Sequence, residues 1–475
     1  MKRRDFIINA ITGAAGISAI TTGMSQTVEG LVPERDGIFD TIVIGGGFAG
    51  VTAARDASQK GLNTLLLEAR PRLGGRTFTT KFAGHDIDVG GTWFGWGQPH
   101  IWAERMRYNL PIKESASTIA EKYVWFSKNQ RNEGGADEFG PFSERANAKF
   151  YAPAREMFPR PYDPLFASSN KKFQELDKIS AAQAIDSLDL SDAEKDLVKS
   201  FAAINGHSIS THSSYLDQLR WIALGGFNQA FMWSNLGYYR LAGGTRVLLE
   251  KMQSDSEAEL KLGEAVKSVV QKNGIVEIAT ARGNLYRAKT AIFALPLNLI
   301  GKINFKPALS SIKVNASQQG HTGSGSKLYM RIKGKHPIMF GQGTEDMPLN
   351  FYWTEYDDKD SQIMVGFNAS PEFLDVNDDE EIQKAIHLFQ PQAELIESFS
   401  YDWNLDPYSK GTWCMYPPGM LTGALKELQR PEQNIYFAGS DIANGWRGFI
   451  DGAIESGARA AQLVSEKIIT KGIKV

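Results

Sequence analysis

At 475 residues the chain is long enough for two domains with substantial cores. Its 52 Lys and Arg against 54 Asp and Glu exclude the basic footprint of a nucleic-acid binder. Cys414 is the single cysteine, so no internal disulfide framework or thiolate cluster is available, and seven histidines without H-E-x-x-H or related spacing predict no metal.

The first element is a segment to set aside. Lys2-Arg3-Arg4-Asp5-Phe6-Ile7-Ile8 is followed by a weakly apolar, Gly/Ala-rich run to about Ile20. That run falls short of the roughly 20 residues a membrane span needs but suits the apolar region of a signal. The whole resembles a twin-arginine export signal, which makes the periplasm the expected location. No clean small-residue cleavage site lies between Ile20 and Val28, and residues 1–37 are assigned to signal and linker.

Thr41-Ile42-Val43-Ile44 then predicts a strand buried on both faces, and Val51 to Lys60 a helix. Between them Gly45, Gly47 and Gly50 make the G-x-G-x-x-G spacing. A second apolar run, Thr64 to Leu67, ends in Glu68, eighteen residues after Gly50. This is the layout of a dinucleotide site. The first glycine allows the turn, the second lets backbone approach a pyrophosphate, the third packs helix on strand, and the acid accepts from a ribose diol. The helix start offers unpaired N–H groups to the phosphates.

Downstream, Lys81 to Val89 reads as a short strand or hairpin around Ala83-Gly84. Gly90-Gly91-Thr92-Trp93-Phe94-Gly95-Trp96 lets backbone pass close to something flat, with aromatics to wall a pocket. From Pro99 to about Gly237 the pattern is helical, with a helix-rich stretch over Ile179–Ala203. Tyr215 to Tyr239 is crowded with aromatics, which fits a pocket wall and an aromatic core equally well. Val247–Lys251 predicts a helix. Strands are predicted at Val266–Gln271, Ile275–Thr280 and Asn284–Arg287, with an Asn273-Gly274 hairpin turn, and at Thr290–Pro296. A second set of strands, Lys327–Lys333, Leu349–Trp353 and Ile363–Phe367, precedes a helix at Asp379–Leu388. The chain closes with a strand at Asn434–Ser440 and a helix over Gly452–Lys467.

Two further motifs carry a family resemblance. Leu73-Gly74-Gly75-Arg76-Thr77 resembles the extension of the dinucleotide site in the flavin-dependent amine oxidases. Tyr436 to Asp441 with Gly445 to Gly457 resembles that family's closing motif. The similarity runs over about residues 38–470 and implies an α/β fold. An FAD-binding Rossmann-like domain of glutathione-reductase type (38–97, 240–298 and 410–475) would interleave with an α+β substrate-binding domain (98–239 and 299–409). Export of a folded, cofactor-loaded protein agrees with the twin-arginine resemblance.

The resemblance also implies a site. FAD would be held by Gly45, Gly47, Phe48, Ala49, Gly50, Glu68, Ala69, Arg70, Gly75, Arg76, Gly90, Gly91, Thr92, Trp93, Val266, Trp403, Gly439, Ser440, Asp441 and Ile450. The start of the closing helix would stabilise negative charge beside N1 on reduction. Trp413 and Phe449 align with the family's aromatic cage, which leaves a slot for a small amine over N5. Lys327 matches the lysine that holds a water near N5, where burial would lower its pKa and fit it to relay a proton. Trp96 is expected as a substrate-pocket wall. Thr412, not Cys414, stands where some monoamine oxidases carry their flavin-linking cysteine, so FAD is expected to be non-covalent.

Within the family, GGTWFGWGQPHIWAE, YDWNLDPYSKGTW and NGWRGFIDGAIESG are most similar to bacterial nicotine and pseudooxynicotine amine oxidases. The implied reaction is hydride transfer from an amine α-carbon to N5, giving an imine that hydrolyses, with oxygen or a cytochrome c as acceptor. Subunit number stays open, a homodimer being one option. Two rival functions remain. An L-amino-acid oxidase would need a buried cation near the flavin; Arg447 is the candidate, though a surface role is the expectation for it. The other rival is a protein that keeps FAD as an electron carrier without oxidising amines.

Overall fold

Phe39–Ile44 (β1) runs through the middle of an eight-stranded sheet in the computed structural model, which describes residues 37–128 and 130–472. The export-signal motif at Lys2–Ile8 lies outside these residues. Alternate side chains of β1 enter different apolar clusters: Ile42 and Ile44 join one, Val43 the other. A strand with both faces buried needs the unbroken β-branched run that the sequence supplies. β1 pairs in parallel with Thr64–Glu68 (β2) on one side and with Leu285–Phe293 on the other. The sheet continues outward through Ile275–Thr280, Val266–Lys272 and Asn304–Lys306 on one flank and Glu259–Leu262 on the other, while Ile435–Phe437 pairs with the end of Leu285–Phe293.

Helix Phe48–Gln59 (α1) leaves β1 directly and packs against the closing helix Ile450–Gly472. Their approach depends on Gly457, where a Cβ would lie 2.3 Å from Ala49 O. Arg55 of α1 is buried and meets Glu104 of the helix Pro99–Arg107 in a two-pronged pair, Nη1–Oε2 at 2.7 Å and Nη2–Oε1 at 2.8 Å.

A second, seven-stranded sheet stands beyond the first. Its order is Leu395–Ser400, Ser326–Lys333, Ser361–Asn368, Phe351–Asp357, Met339–Gln342, Lys122–Ser127 and Gln130–Gly134. Three sequence expectations change here. Asn284–Arg287 and Thr290–Pro296 are one strand, because Lys289 merely steps through the exposed part of a ladder that continues into the buried half. The segment from Pro99 to Gly237 is not wholly helical. Lys122–Ser127 becomes a strand by pairing in parallel with Met339–Gln342, a partner more than two hundred residues away. Ile179–Ala203 divides into Ala181–Ser187 and Asp192–Gly206 (α2), each opened by its own capping box, Ser180 with Gln183 and Ser191 with Glu194. Ser326–Lys333 is β3 below, and Ile450–Gly472 is α3. No described helix is long and apolar enough to cross a membrane.

Candidate active site

The turn from β1 into α1 can be built only with glycine. Gly45 has φ +105°, and a Cβ there would lie 2.6 Å from Ala294 O; at Gly50 one would lie 1.7 Å from Gly45 O. α1 starts at Gly47 with no side-chain cap, so its first amides are left for an anion. Glu68, at the end of β2, is fixed by two backbone donors, Gly46 N–H to Oε2 at 2.6 Å and Arg70 N–H to Oε1 at 2.7 Å. This uncapped helix start beside an acid held from behind fits a pyrophosphate and its ribose.

A cavity of about 520 Å³ begins here and runs past both motifs to a chamber of rings. Gly45, Gly47, Phe48, Ala49, Glu68, Ala69, Arg70, Gly75, Arg76, Gly90, Gly91, Thr92, Trp93, Val266, Trp403, Gly439, Ser440, Phe449, Ile450, Lys327 and Trp413 all line it. Three of the residues expected at the site do not. Gly50 faces the strand, where it lets α1 close on β1. Asp441 lies behind Arg76: its Oδ1 accepts from Arg76 Nη2 at 2.5 Å and its Oδ2 from Leu297 N–H at 2.9 Å. Burial opposes its ionisation, but Arg76 overrides this and holds the carboxyl at about 2. Arg76 also donates to Thr412 O at 2.7 Å and Ser440 Oγ at 2.8 Å, so one guanidinium joins the three segments around the middle of the cavity. Trp96 is the third correction. Its side chain is 59% exposed and leans on Phe231, because Gly95 and Gly97 pack onto Asn235 and leave the residue between them facing outward.

The chamber is walled by Trp93, Trp221, Trp233, Phe351, Trp353, Phe367, Trp413 and Phe449, with Asn205, His207 and Thr92 among its polar groups. Trp221 and Trp233 come from the aromatic-rich stretch, whereas Tyr215 of the same stretch is core and donates to Phe150 O at 2.6 Å. Trp403 donates from Nε1 to Val89 O at 3.0 Å, which sets its ring along the cavity beside Gly90.

Lys327 is the second residue of β3. Its Nζ donates to Asp88 O at 2.6 Å, Gly90 O at 3.2 Å and Thr92 Oγ1 at 2.6 Å, and sits 4.2 Å from the centre of the Trp93 ring. Three acceptors match the three N–H bonds of an ammonium, but burial outweighs them and the charges of Asp88 and Glu355, and brings the pKa down to about 7. Both protonation states are therefore within reach near neutrality.

Arg447 is not a surface residue. It is 1% exposed, lies 3.9 Å over the Tyr416 ring and pairs with Asp217, which also takes Arg220 Nη1 at 3.1 Å. It does not line the cavity. Cys414 does not line it either; burial pushes its thiol pKa up.

His207 carries no motif and was not legible as a site residue. It is buried against the chamber, with its ring centre 3.8 Å from that of Trp413 and the planes 4° apart. Burial, aided by the charge of Lys327, lowers its pKa to about 3 and keeps it neutral. Asn205 was equally silent: a helix-end asparagine has many uses, and only the fold brings it to this wall.

Comparison with known proteins decides between the dinucleotide chemistries. The profile of the family described as flavin containing amine oxidoreductase matches residues 48–465. The chain belongs to that family. It is 40% identical to a pseudooxynicotine dehydrogenase of Pseudomonas sp over 98% of this chain and 96% of that one. Nicotine dehydrogenase of Pseudomonas putida (strain DSM 28022 / S16) is 37% identical over 98% and 97%. (S)-6-hydroxynicotine oxidase of Paenarthrobacter nicotinovorans is 26% identical over 90% and 99%. Among solved structures, cyclohexylamine oxidase from Brevibacterium oxydans IH-35A shares the fold with a TM-score of 0.77 at 18% identity, covering 91% of this chain and all of the other. Putrescine oxidase does so at 0.78 and 20%, covering 91% and 99%. The enzyme is thus a flavin-dependent amine oxidoreductase with FAD as its cofactor, and the cradle described above has the shape and the free amides to hold it.

Proposed function

We propose that this enzyme oxidises a small secondary amine carried beside an aromatic, pyridine-like ring, bound as the neutral amine, and passes the electrons to a cytochrome c in preference to oxygen. The single observation that carries the substrate class is the chamber. It is a box of rings opening onto the flavin cradle; none of the eight rings and three polar groups named for it carries a charge, and Lys327 adjoins them through Trp93 and Thr92. Flat faces on several sides favour a planar ring, and a site without a carboxylate gives no partner to an ammonium. The relative named for pseudooxynicotine, a secondary amine beside a pyridine, agrees with this class; those named for nicotine compounds, whose amine is tertiary, agree on the pyridine-like ring, and two of the three are named dehydrogenases.

Bound FAD supplies the two-electron acceptor for a hydride leaving the amine's α-carbon. The chain's own part is positional. Trp413 and Phe449 hold the amine between rings and keep water out of the slot. Arg76, anchored by Asp441, fixes the relative placement of the cradle and the Thr412-Trp413 turn. Lys327, held at the edge of the cavity by Thr92 and two carbonyls, exchanges a proton with a water there as charge changes. The imine leaves and hydrolyses. An L-amino-acid substrate is disfavoured, since Arg447 is spent on Asp217 behind the wall and Lys327 is spent on three oxygens. On the export-signal resemblance, the same proposal places the enzyme in the periplasm, where a cytochrome c is accessible.

Anaerobic mixing of the yellow protein with nicotine, pseudooxynicotine, simple aryl-alkyl amines, polyamines and L-amino acids tests this at the flavin's long-wavelength band. Fast bleaching by aryl secondary amines, with colour restored faster by cytochrome c than by air, is expected. Bleaching by amino acids or polyamines alone would overturn the substrate class, and faster recovery in air would overturn the acceptor.

A further inference from the structure

We infer that His207 is a positioning residue for amine oxidation: its flat ring sets the plane of Trp413 and ties that cage wall to the strand that carries Lys327. The inference rests on Trp413 being a wall of the amine slot, as proposed above.

The backbone gives the first sign. His207 ends α2 at φ 46° and ψ 43°, a left-handed conformation that costs a residue with a Cβ and is normally given to Gly or Asn at a helix end. A histidine kept there has a use for its side chain. Its contacts say which. His207 O accepts from both Ser324 N–H and Gly325 N–H at 2.8 Å, and its Nε2 lies 3.3 Å from Ser326 O, the residue before Lys327. A carbonyl only accepts, so Nε2 carries the proton and Nδ1 accepts from Thr412 Oγ1 at 2.8 Å. Thr412 adjoins Trp413, whose ring lies flat on the imidazole and whose Nε1 donates to Asn205 O at 2.8 Å. Gly325 completes the fit, since a Cβ there would lie 2.5 Å from the His207 ring. One side chain therefore touches the end of α2, the start of β3 and the cage turn. Without it, Trp413 keeps one hydrogen bond but loses the surface that fixes its tilt.

Two variants separate the ring from its hydrogen bonds. His207→Asn suits the backbone and stays polar but removes the flat surface; His207→Phe keeps the surface and loses both hydrogen bonds. Each holoenzyme is compared with wild type for FAD content, anaerobic flavin reduction by nicotine and pseudooxynicotine, and affinity for aniline, which has no α-hydrogen to give up, read from the perturbed flavin spectrum. The expected result is full FAD content in both. His207→Asn should reduce about 10- to 100-fold more slowly and bind aniline more weakly, while His207→Phe stays within about threefold of wild type on both readouts. Equal loss in both variants, no loss in either, or loss of FAD from His207→Asn would overturn the inference. A wild-type enzyme that no amine reduces would instead overturn the functional reading beneath it.

Discussion

Phe449 and Trp413 line one cavity, yet the turns that carry them are held by different forces. Phe449 follows a turn anchored by buried charge: Arg447 and Arg220 share Asp217, and Arg220 Nη2 also donates to the carbonyls of Asn444 and Gly445. Its ring then rests edge-on against Trp221 and Trp446. The Trp413 ring itself rests on a neutral imidazole, the edge of Phe367 and one indole hydrogen bond, and charge reaches its turn only through Arg76 on the neighbouring Thr412 carbonyl. A buried charge cluster is rigid but fails badly when one member is lost, because the remaining ions stay desolvated. A neutral stack fails mildly and locally. The two walls therefore have different sensitivities to mutation and to acid.

The largest effect is expected on the charged side. Asp217→Asn leaves two buried arginines without a counter-charge and should cost about 3–5 kcal/mol of stability. The check is a lower Tm with reduced FAD content; an unchanged Tm would show that the cluster is not what holds the Phe449 turn. Next comes the buried lysine beside Trp93. Lys327→Met should retain FAD and lower kcat/KM by about 10²-fold. Wild-type activity should rise through pH 7, where Lys327 loses its proton, and that limb should vanish in the variant.

Acid should then distinguish the walls. His207 is held at about 3, below its ordinary 6.5, so as pH falls the unfolded chain takes up the proton first. The stability tied to a neutral His207 is full above pH 6.5 and drains as pH falls toward 3, by up to about 2 kcal/mol at pH 5. His321, lowered by burial to about 4, adds to the same trend. Asp217 behaves otherwise. Burial opposes its charge, but Arg447 and Arg220 bring its pKa below 3.8, so its contribution persists through mild acid and is lost only below the usual carboxylate range. Thermal melts of wild type and His207→Phe between pH 7 and 5 should show the steeper loss in wild type; equal slopes would remove His207 as the cause.

Phe449→Leu keeps an apolar residue but drops one face of the slot, and flavin reduction by an aryl amine should slow by about tenfold with Tm nearly unchanged. The smallest effect belongs to Trp96. With its ring outside the cavity, Trp96→Ser should shift stability by no more than about 0.5 kcal/mol and leave reduction kinetics alone. A slowed reaction would return it to the pocket.

What could be read before the fold was known divides along the same line. The cradle was legible because each part is local: β1, the glycine turn, α1 and Glu68 lie within thirty residues and each answers to a backbone constraint. Lys327, Trp413 and Phe449 were found only by likeness to a family, since nothing in their own neighbourhoods distinguishes them from a strand-end charge and two core rings. Trp96 went wrong for the same reason in reverse. It sits in a promising glycine-aromatic motif, but its direction is set by Asn235, far along the chain. Arg447 looked exposed because arginine usually is; only the fold brings Asp217 and Tyr416 to bury it.

By itself, then, the sequence determined the dinucleotide cradle, the alternation that builds the first sheet, and the caps that open the helices, because each depends on backbone geometry within a few residues. Tertiary structure alone decided the composition of the ring chamber and the direction of every side chain in it. Those walls come from residues 93 to 449, and burial, pKa and ring orientation are properties of neighbours that share no stretch of chain.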